Sequence, residues 1–179
     1  QIDAIDKSLA VIEFDMNGII LNANANFLNV MGYELSEIQG QHHRMFAEAE
    51  YAQSDEYREF WQALNRGEFT SGEFKRFAKG KKEVWINASY NPVFDSDNKP
   101  YKVVKYASDI TVNKQKANDH YGQLQAISKS QAVIEFNMDG TIITANENFL
   151  SALGYSLNEI KGKHHSMFAV PEYAQSIEY

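Results

Sequence analysis

A long internal repeat constrains the fold of this chain more than any other feature of its sequence. The segment from Lys7 to Tyr57 recurs from Lys129 to Tyr179 without a gap, at an offset of 122 residues, and 33 of the 51 aligned positions are identical. A repeat this long indicates a duplicated domain, because solenoid repeats span only about 20–50 residues. The second copy has no counterpart of the stretch that follows Tyr57. We therefore expect one complete domain, the front half of a second, and a chain that is a fragment of a longer protein.

The composition is typical of a globular protein and excludes several classes of function. Apolar residues make up 44% of the chain and charged residues 23%. A net charge of −7 disfavours a nucleic-acid partner, which needs a basic face. The absence of cysteine removes disulfides, thiolate metal sites and cysteine nucleophiles. With no signal peptide and no apolar run long enough to span a bilayer, we expect a cytoplasmic protein whose segment here contacts no membrane.

Hydrophobic patterning predicts an α+β domain in the first copy. Alternating apolar residues predict strands, and apolar residues three or four positions apart predict helices. The predicted strands are Ala10–Phe14, Ile19–Asn22, Glu73–Ala78, Glu83–Val93 and Tyr101–Ile110, and the predicted helices are Asn26–Met31, Ser36–Ile38 and Asp55–Asn65. We expect a five-stranded antiparallel sheet with short helices on one face. Because several strands are apolar on both faces, the other face needs a flanking helix or a partner chain.

The stretch between the copies predicts a connector helix. Its apolar residues Ala117, Tyr121, Leu124 and Ile127 are spaced four, three and three positions apart, which gives a narrow helical stripe. We expect the first domain at residues 1–111, the connector helix at 112–128 and the front half of the second domain at 129–179. A hairpin with short helices is marginally stable alone. Copy two is therefore expected to be poorly ordered, to borrow strands from another chain, or to pack in a dimer.

A set of short motifs, in this order, identifies a family resemblance. The matching positions are Asn24, Gly32 and Tyr33, Glu37, Gly40, His42 to Phe46, Trp85, Asn91 to Asp95, and Asp109 to Thr111. Together they resemble the PAS domain family, in the form found in bacterial methyl-accepting chemotaxis receptors. The front half of the set recurs in the second copy. The resemblance implies a PAS fold, followed by a linker helix and the front half of a second PAS domain.

The resemblance also implies a sensory function without enzymatic activity. Such a module senses a small molecule, a gas or a redox state and passes the signal to a C-terminal signalling domain and its kinase complex, commonly as a homodimer. One alternative is a PAS dimerisation or scaffold module that holds no ligand. Another is the sensor of a histidine kinase or of a cyclic-dinucleotide enzyme. The acidic residues around the predicted helix at 55–65 fit a solvated face better than a catalytic pair.

The paired histidines His42 and His43 are the first candidate site. Either ring could be an axial ligand of a haem iron, as in some PAS domains of chemotaxis receptors. Adjacent residues on a helix point about 100° apart, so both cannot bind one metal from one face. No other metal-ligand pattern accompanies them. The alternative is a structural role, in which one histidine caps a helix or hydrogen-bonds within the fold.

Two further sets of residues are candidates for binding and for signal relay. Trp85, Asn87 and Tyr90, with Phe27 and Met31, could line a slot for flavin (FAD), although plain core packing between sheet and helices is the favoured explanation. The cofactor is therefore haem, flavin or none. Asp109 and Thr111 are the expected relay, because either side chain can accept from a free backbone N–H where the last strand becomes a helix. In the simplest interpretation Thr111 is the N-cap of that helix.

Overall fold

The computed structural model describes residues 8–179 and divides the chain into two compact units, with the division between Gln115 and Lys116. Residues 1–7, the start of the first expected domain, lie outside the described residues. None of the helices within residues 8–179 is long and apolar enough to cross a membrane.

The first unit contains the five-stranded antiparallel sheet that the sequence predicts. Its strands are β1 (Ala10–Asp15), β2 (Ile20–Ala23), β3 (Thr70–Phe77), β4 (Glu83–Phe94) and β5 (Pro100–Asp109). Their spatial order is β2-β1-β5-β4-β3, so β5 lies in the middle and β3 forms one edge. Every pairing is antiparallel. The α+β prediction is confirmed.

Short helices pack on one face of this sheet. They are Ala25–Met31, Leu35–Ile38, Ala49–Ala52 and Asp55–Asn65, with a 3₁₀ turn at His43–Phe46. The longest begins where predicted, because the Ser54 hydroxyl accepts from the Tyr57 N–H at 3.1 Å and caps it. The 3₁₀ turn and the helix at Ala49–Ala52 were not predicted, because each is a single turn too short to show helical periodicity and, unlike the predicted turn at Ser36–Ile38, neither is closely followed by a glycine.

The main core lies between the sheet and these helices. Alternate residues of each strand face it, and on β4 these are Val84, Ile86, Ala88 and Tyr90. From the helical side it receives buried aromatic residues, among them Phe46 and Trp61. The aromatic rings fill the space in which the candidate site lies.

The second unit repeats the front half of the first. A connector helix (Thr111–Ser130) runs from the end of β5. The unit contains β6 (Ile134–Phe136) and β7 (Ile142–Ala145), the helices Glu147–Leu153, Leu157–Ile160 and Pro171–Ala174, and a 3₁₀ turn at His165–Phe168. Its small core is built on Ile142, Leu150 and Ile160.

Candidate functional site

The two histidines of the His42–His43 pair lie in different surroundings. His43 is fully buried, and the 3₁₀ turn directs its ring into the core. Its Nδ1 lies 2.8 Å from the Tyr57 hydroxyl and its Nε2 lies 3.0 Å from the Tyr90 hydroxyl. Both ring nitrogens are therefore engaged, and neither can reach an iron unless one of these hydrogen bonds breaks. The geometry of His43 fits the structural alternative and does not fit a haem ligand.

The electrostatics of this trio favour one arrangement of protons. Burial, reinforced by Lys105 and Arg76, holds the pKa of His43 well below its ordinary value of 6.5, so the ring is neutral. Burial also raises the pKa of Tyr57 to about 12. Burial opposes ionisation of Tyr90 as well, but Lys105 and Arg76 outweigh it and lower the pKa of Tyr90. These directions fit a Tyr57 O–H that donates to Nδ1, and an Nε2–H that donates to the Tyr90 oxygen.

Two buried cations complete the cluster, and the sequence analysis missed both. Arg76 is 3% exposed and Lys105 is 1% exposed. The Arg76 Nη2 lies 3.3 Å from the Tyr90 hydroxyl, and the Lys105 Nζ lies 4.8 Å from the centroid of the Tyr90 ring. With His43 they are the buried polar or charged residues of the described chain, so this interior holds two cations and no buried carboxylate.

His42 faces a cleft at the surface of the first unit. Its Nδ1 accepts from the backbone N–H of Arg44 at 3.0 Å, which caps the 3₁₀ turn. The cleft has a volume of about 600 Å³, and its walls include Met16, His42, Tyr57 and Trp61. Burial and the nearby Arg44 lower the pKa of His42. Of the two histidines, His42 is the one with access to a bound molecule.

Trp85 and Asn87 lie on the opposite face of the sheet from Tyr90. On β4, odd-numbered residues face outwards and even-numbered residues face the core. Asn87 is exposed, while the Trp85 Nε1 donates to the Glu83 carboxylate at 2.8 Å. The slot predicted for flavin is therefore wrong, because its members do not share a face of the sheet.

Asp109 and Thr111, the residues expected to relay a signal, lie where the sheet joins the connector helix. The Thr111 Oγ1 accepts from the backbone N–H of Trp85 on β4 at 2.9 Å, and the N–H of Ile110 donates to the carbonyl of Trp85 at 2.8 Å. The Asp109 carboxylate accepts from the N–H of Thr111 at 2.8 Å. The prediction that Thr111 caps the helix is wrong, because its hydroxyl bonds the strand. Asp109 and Thr111 together fix the first turn of the helix to β4.

The second unit repeats part of this arrangement. The Nδ1 of His165, which corresponds to His43, lies 2.6 Å from the hydroxyl of Tyr179. A cleft of about 670 Å³ beside His164 and Gly140 takes the place of the His42 cleft. The histidine–tyrosine pair is thus a feature of both copies.

The buried His43 predicts a fall in stability at mildly acid pH. Because its pKa is lower in the folded chain than in the unfolded chain, unfolding takes up a proton below about pH 6.5. The contribution of His43 to the free energy of unfolding should therefore be greatest above pH 6.5. As the pH falls below 6.5, this contribution should decrease by at most about 1.4 kcal/mol per pH unit. His42 contributes in the same direction from a half-buried position. Urea unfolding at pH values above and below 6.5 should show that most of the loss of stability at acid pH persists in His42→Ala. If the loss disappears in that variant, the assignment to His43 is wrong.

Comparison with known proteins gives a consistent result for both units. A PAS fold model matches residues 20–107, and a PAS domain model matches residues 130–179. The chain is 43% identical over 176 residues to the biofilm dispersion protein BdlA of Pseudomonas aeruginosa, an alignment that covers 98% of this chain and 42% of that protein. It is 33% identical over 88 residues to the aerotaxis receptor of Escherichia coli, covering 49% of this chain and 17% of the receptor. The chain thus spans less than half the length of these two relatives.

A solved structure shows the same fold. The PAS domain of a protein from Colwellia psychrerythraea superposes with a TM-score of 0.53 at 22% identity, covering 62% of this chain and 93% of that domain. At this level of identity the likeness establishes the fold alone.

Proposed function

The chain belongs to the PAS family, and on that basis we propose that it is a sensory module of a chemotaxis-type receptor. It senses a small molecule, a gas or a redox state in the first unit and performs no catalysis itself. The biofilm dispersion protein and the aerotaxis receptor, with which it aligns, support this assignment. Both ring nitrogens of His43 have hydrogen-bond partners, which disfavours a haem iron on that residue, and His42 is the histidine that a bound molecule could reach.

The observation that carries this function is the junction at Thr111. Trp85 and Tyr90 lie on the same strand, β4, with Tyr90 facing the buried cluster and the backbone of Trp85 bonded to Ile110 and Thr111. A change around Tyr90 shifts β4 and so reaches the first turn of the connector helix. The helix carries the change towards a downstream signalling domain and its kinase complex.

The same assignment gives the module a cellular location and an oligomeric state. It works in the cytoplasm and pairs with a second copy of itself. The outer face of the sheet supports pairing, because the apolar side chains of Val11 and Tyr106 lie there and are only partly covered. Lys114, in the first turn of the connector helix, holds its ammonium 5.1 Å from the centroid of the Trp85 ring on this face.

A chimaera tests the proposed relay. This chain replaces the region of the Pseudomonas biofilm dispersion protein with which it aligns, and dispersion of biofilm is measured with and without Thr111→Val. We expect the chimaera to respond and the variant to lose the response, because valine keeps the shape of threonine and removes the bond to β4. The fold should survive, since one such hydrogen bond contributes only about 1 kcal/mol.

Thr144→Val is the matched control for this experiment. Thr144 is half-buried on β7 and makes no side-chain hydrogen bond within the described residues. The chimaera with Thr144→Val should disperse biofilm as the parent chimaera does. A Thr111→Val chimaera that still responds would contradict the relay, and a chimaera that fails in every form would contradict the sensory function.

A further inference from the structure

The buried cations of the first unit lack the partners that buried charges normally have. Arg76 and Lys105 form no ion pair among the described residues. The Arg76 Nη1 donates to the carbonyl of Lys75 at 2.8 Å, but its Nε is shielded from solvent and has no acceptor within residues 8–179. A buried charge without a counter-charge is destabilising. A bound molecule that carries a negative charge would supply the missing partner.

A cleft gives a ligand access to Arg76. It has a volume of about 360 Å³ and lies along the edge strand β3. Its walls include the rings of Tyr51 and Phe74, whose centroids lie 5.9 Å and 4.9 Å from the guanidinium carbon of Arg76. The cleft therefore offers a buried guanidinium beside two aromatic faces.

We propose that Arg76 anchors the carboxylate of a small organic acid in this cleft, with the aromatic or apolar body of the acid against Tyr51 and Phe74. A guanidinium suits this role because its planar N–H fork matches the two oxygens of a carboxylate. Lys105 lies behind Tyr90 and adds positive potential without touching the ligand. The inference rests on the proposed sensory function and names the class of molecule that the module senses.

The rim of the cleft sets a limit on the charge of the ligand. Glu48, Glu56 and Glu73 line it and oppose an anion. Two of them are already paired, Glu48 with Lys75 and Glu73 with Lys114. The rim therefore favours a monocarboxylate over a more highly charged anion, and the apolar body of the acid faces the two rings.

Calorimetry with two matched probes tests this site. The probes are 3-phenylpropionate, which carries the carboxylate, and phenethylamine, which carries a similar body with the opposite charge. We expect 3-phenylpropionate to bind the 179-residue chain with a Kd of about 1 mM or tighter, and phenethylamine to bind far more weakly. Arg76→Met should weaken the binding of 3-phenylpropionate at least roughly tenfold, and Lys105→Met by a smaller factor.

The variants also separate a ligand site from a structural role. Because methionine replaces an unpaired buried charge with an apolar side chain of similar length, Arg76→Met should unfold at the same urea concentration as the parent chain or at a higher one. Arg58→Met, on the exposed face of the helix Asp55–Asn65, should bind 3-phenylpropionate as the parent does. The site is overturned if 3-phenylpropionate does not bind, if phenethylamine binds as well, or if Arg76→Met binds unchanged. Any of these results leaves the Thr111 relay standing, since the dispersion assay tests it separately.

Discussion

Replacing His43 with alanine should destabilise the first unit by about 3–4 kcal/mol. The ring lies at the centre of the aromatic core, 5.3 Å from Phe14 and 5.6 Å from Trp61 between ring centroids. Its removal leaves a cavity and takes a hydrogen-bond partner from the hydroxyls of Tyr57 and Tyr90. Few single substitutions combine both losses.

The adjacent residue supplies the control for this prediction. His42→Ala changes the same residue type one position earlier, but it loses a half-buried ring and one cap of the 3₁₀ turn, which should cost only about 1 kcal/mol. Urea unfolding near neutral pH measures both variants. Equal losses in the two would refute the structural role of His43, as would a His43→Ala chain that stays stable and loses a haem absorption band.

Replacing Gly18 with alanine should cost about 2–5 kcal/mol. Gly18 closes the β1–β2 turn at a φ of +80°, which costs an L-residue roughly 1–2 kcal/mol. A Cβ there would lie 2.8 Å from the Trp61 ring and 3.0 Å from the His42 Nε2. Because Trp61 is held in the core, this overlap should add about 1–3 kcal/mol.

Gly40→Ala separates the two contributions. Gly40 has nearly the same backbone, with a φ of +79°, but a Cβ there meets nothing within 4 Å. Its variant should lose only about 1–2 kcal/mol. Thermal or urea unfolding of the pair measures the steric part directly. If Gly18→Ala is no less stable than Gly40→Ala, the close approach of the turn to Trp61 is wrong.

The sequence carries enough information to predict the architecture. Period-two alternation in AVIEF and the capped pattern at 54–65 predicted a strand and the longest of the helices that pack on the sheet, because burial of one face determines which positions are apolar. Elements of one turn have no such period. The 3₁₀ turn that directs His43 inwards therefore appears only in the structure.

The candidate site was harder to predict, because it is assembled from distant segments. Tyr57, Arg76, Tyr90 and Lys105 come from one helix and three strands. One available signal was missed: Lys105 lies between Val103 and Ala107 at inward positions of an alternating strand, where a charged residue is unusual. The same alternation separates Trp85 and Asn87 from Tyr90, so strand parity alone rules out the flavin slot.

Amide hydrogen exchange tests most directly whether the buried cluster is coupled to the connector helix. Tyr90→Phe removes the hydroxyl that contacts His43 and Arg76, and so perturbs β4 from its core side without any ligand. Exchange at residues 111–115 should become faster in this variant, and unchanged in Tyr101→Phe, whose ring is exposed on β5. In a Thr111→Val background, Tyr90→Phe should have no further effect at these amides. If Tyr90→Phe leaves exchange at residues 111–115 as in the parent chain, the cluster does not communicate with the helix and the proposed relay is wrong.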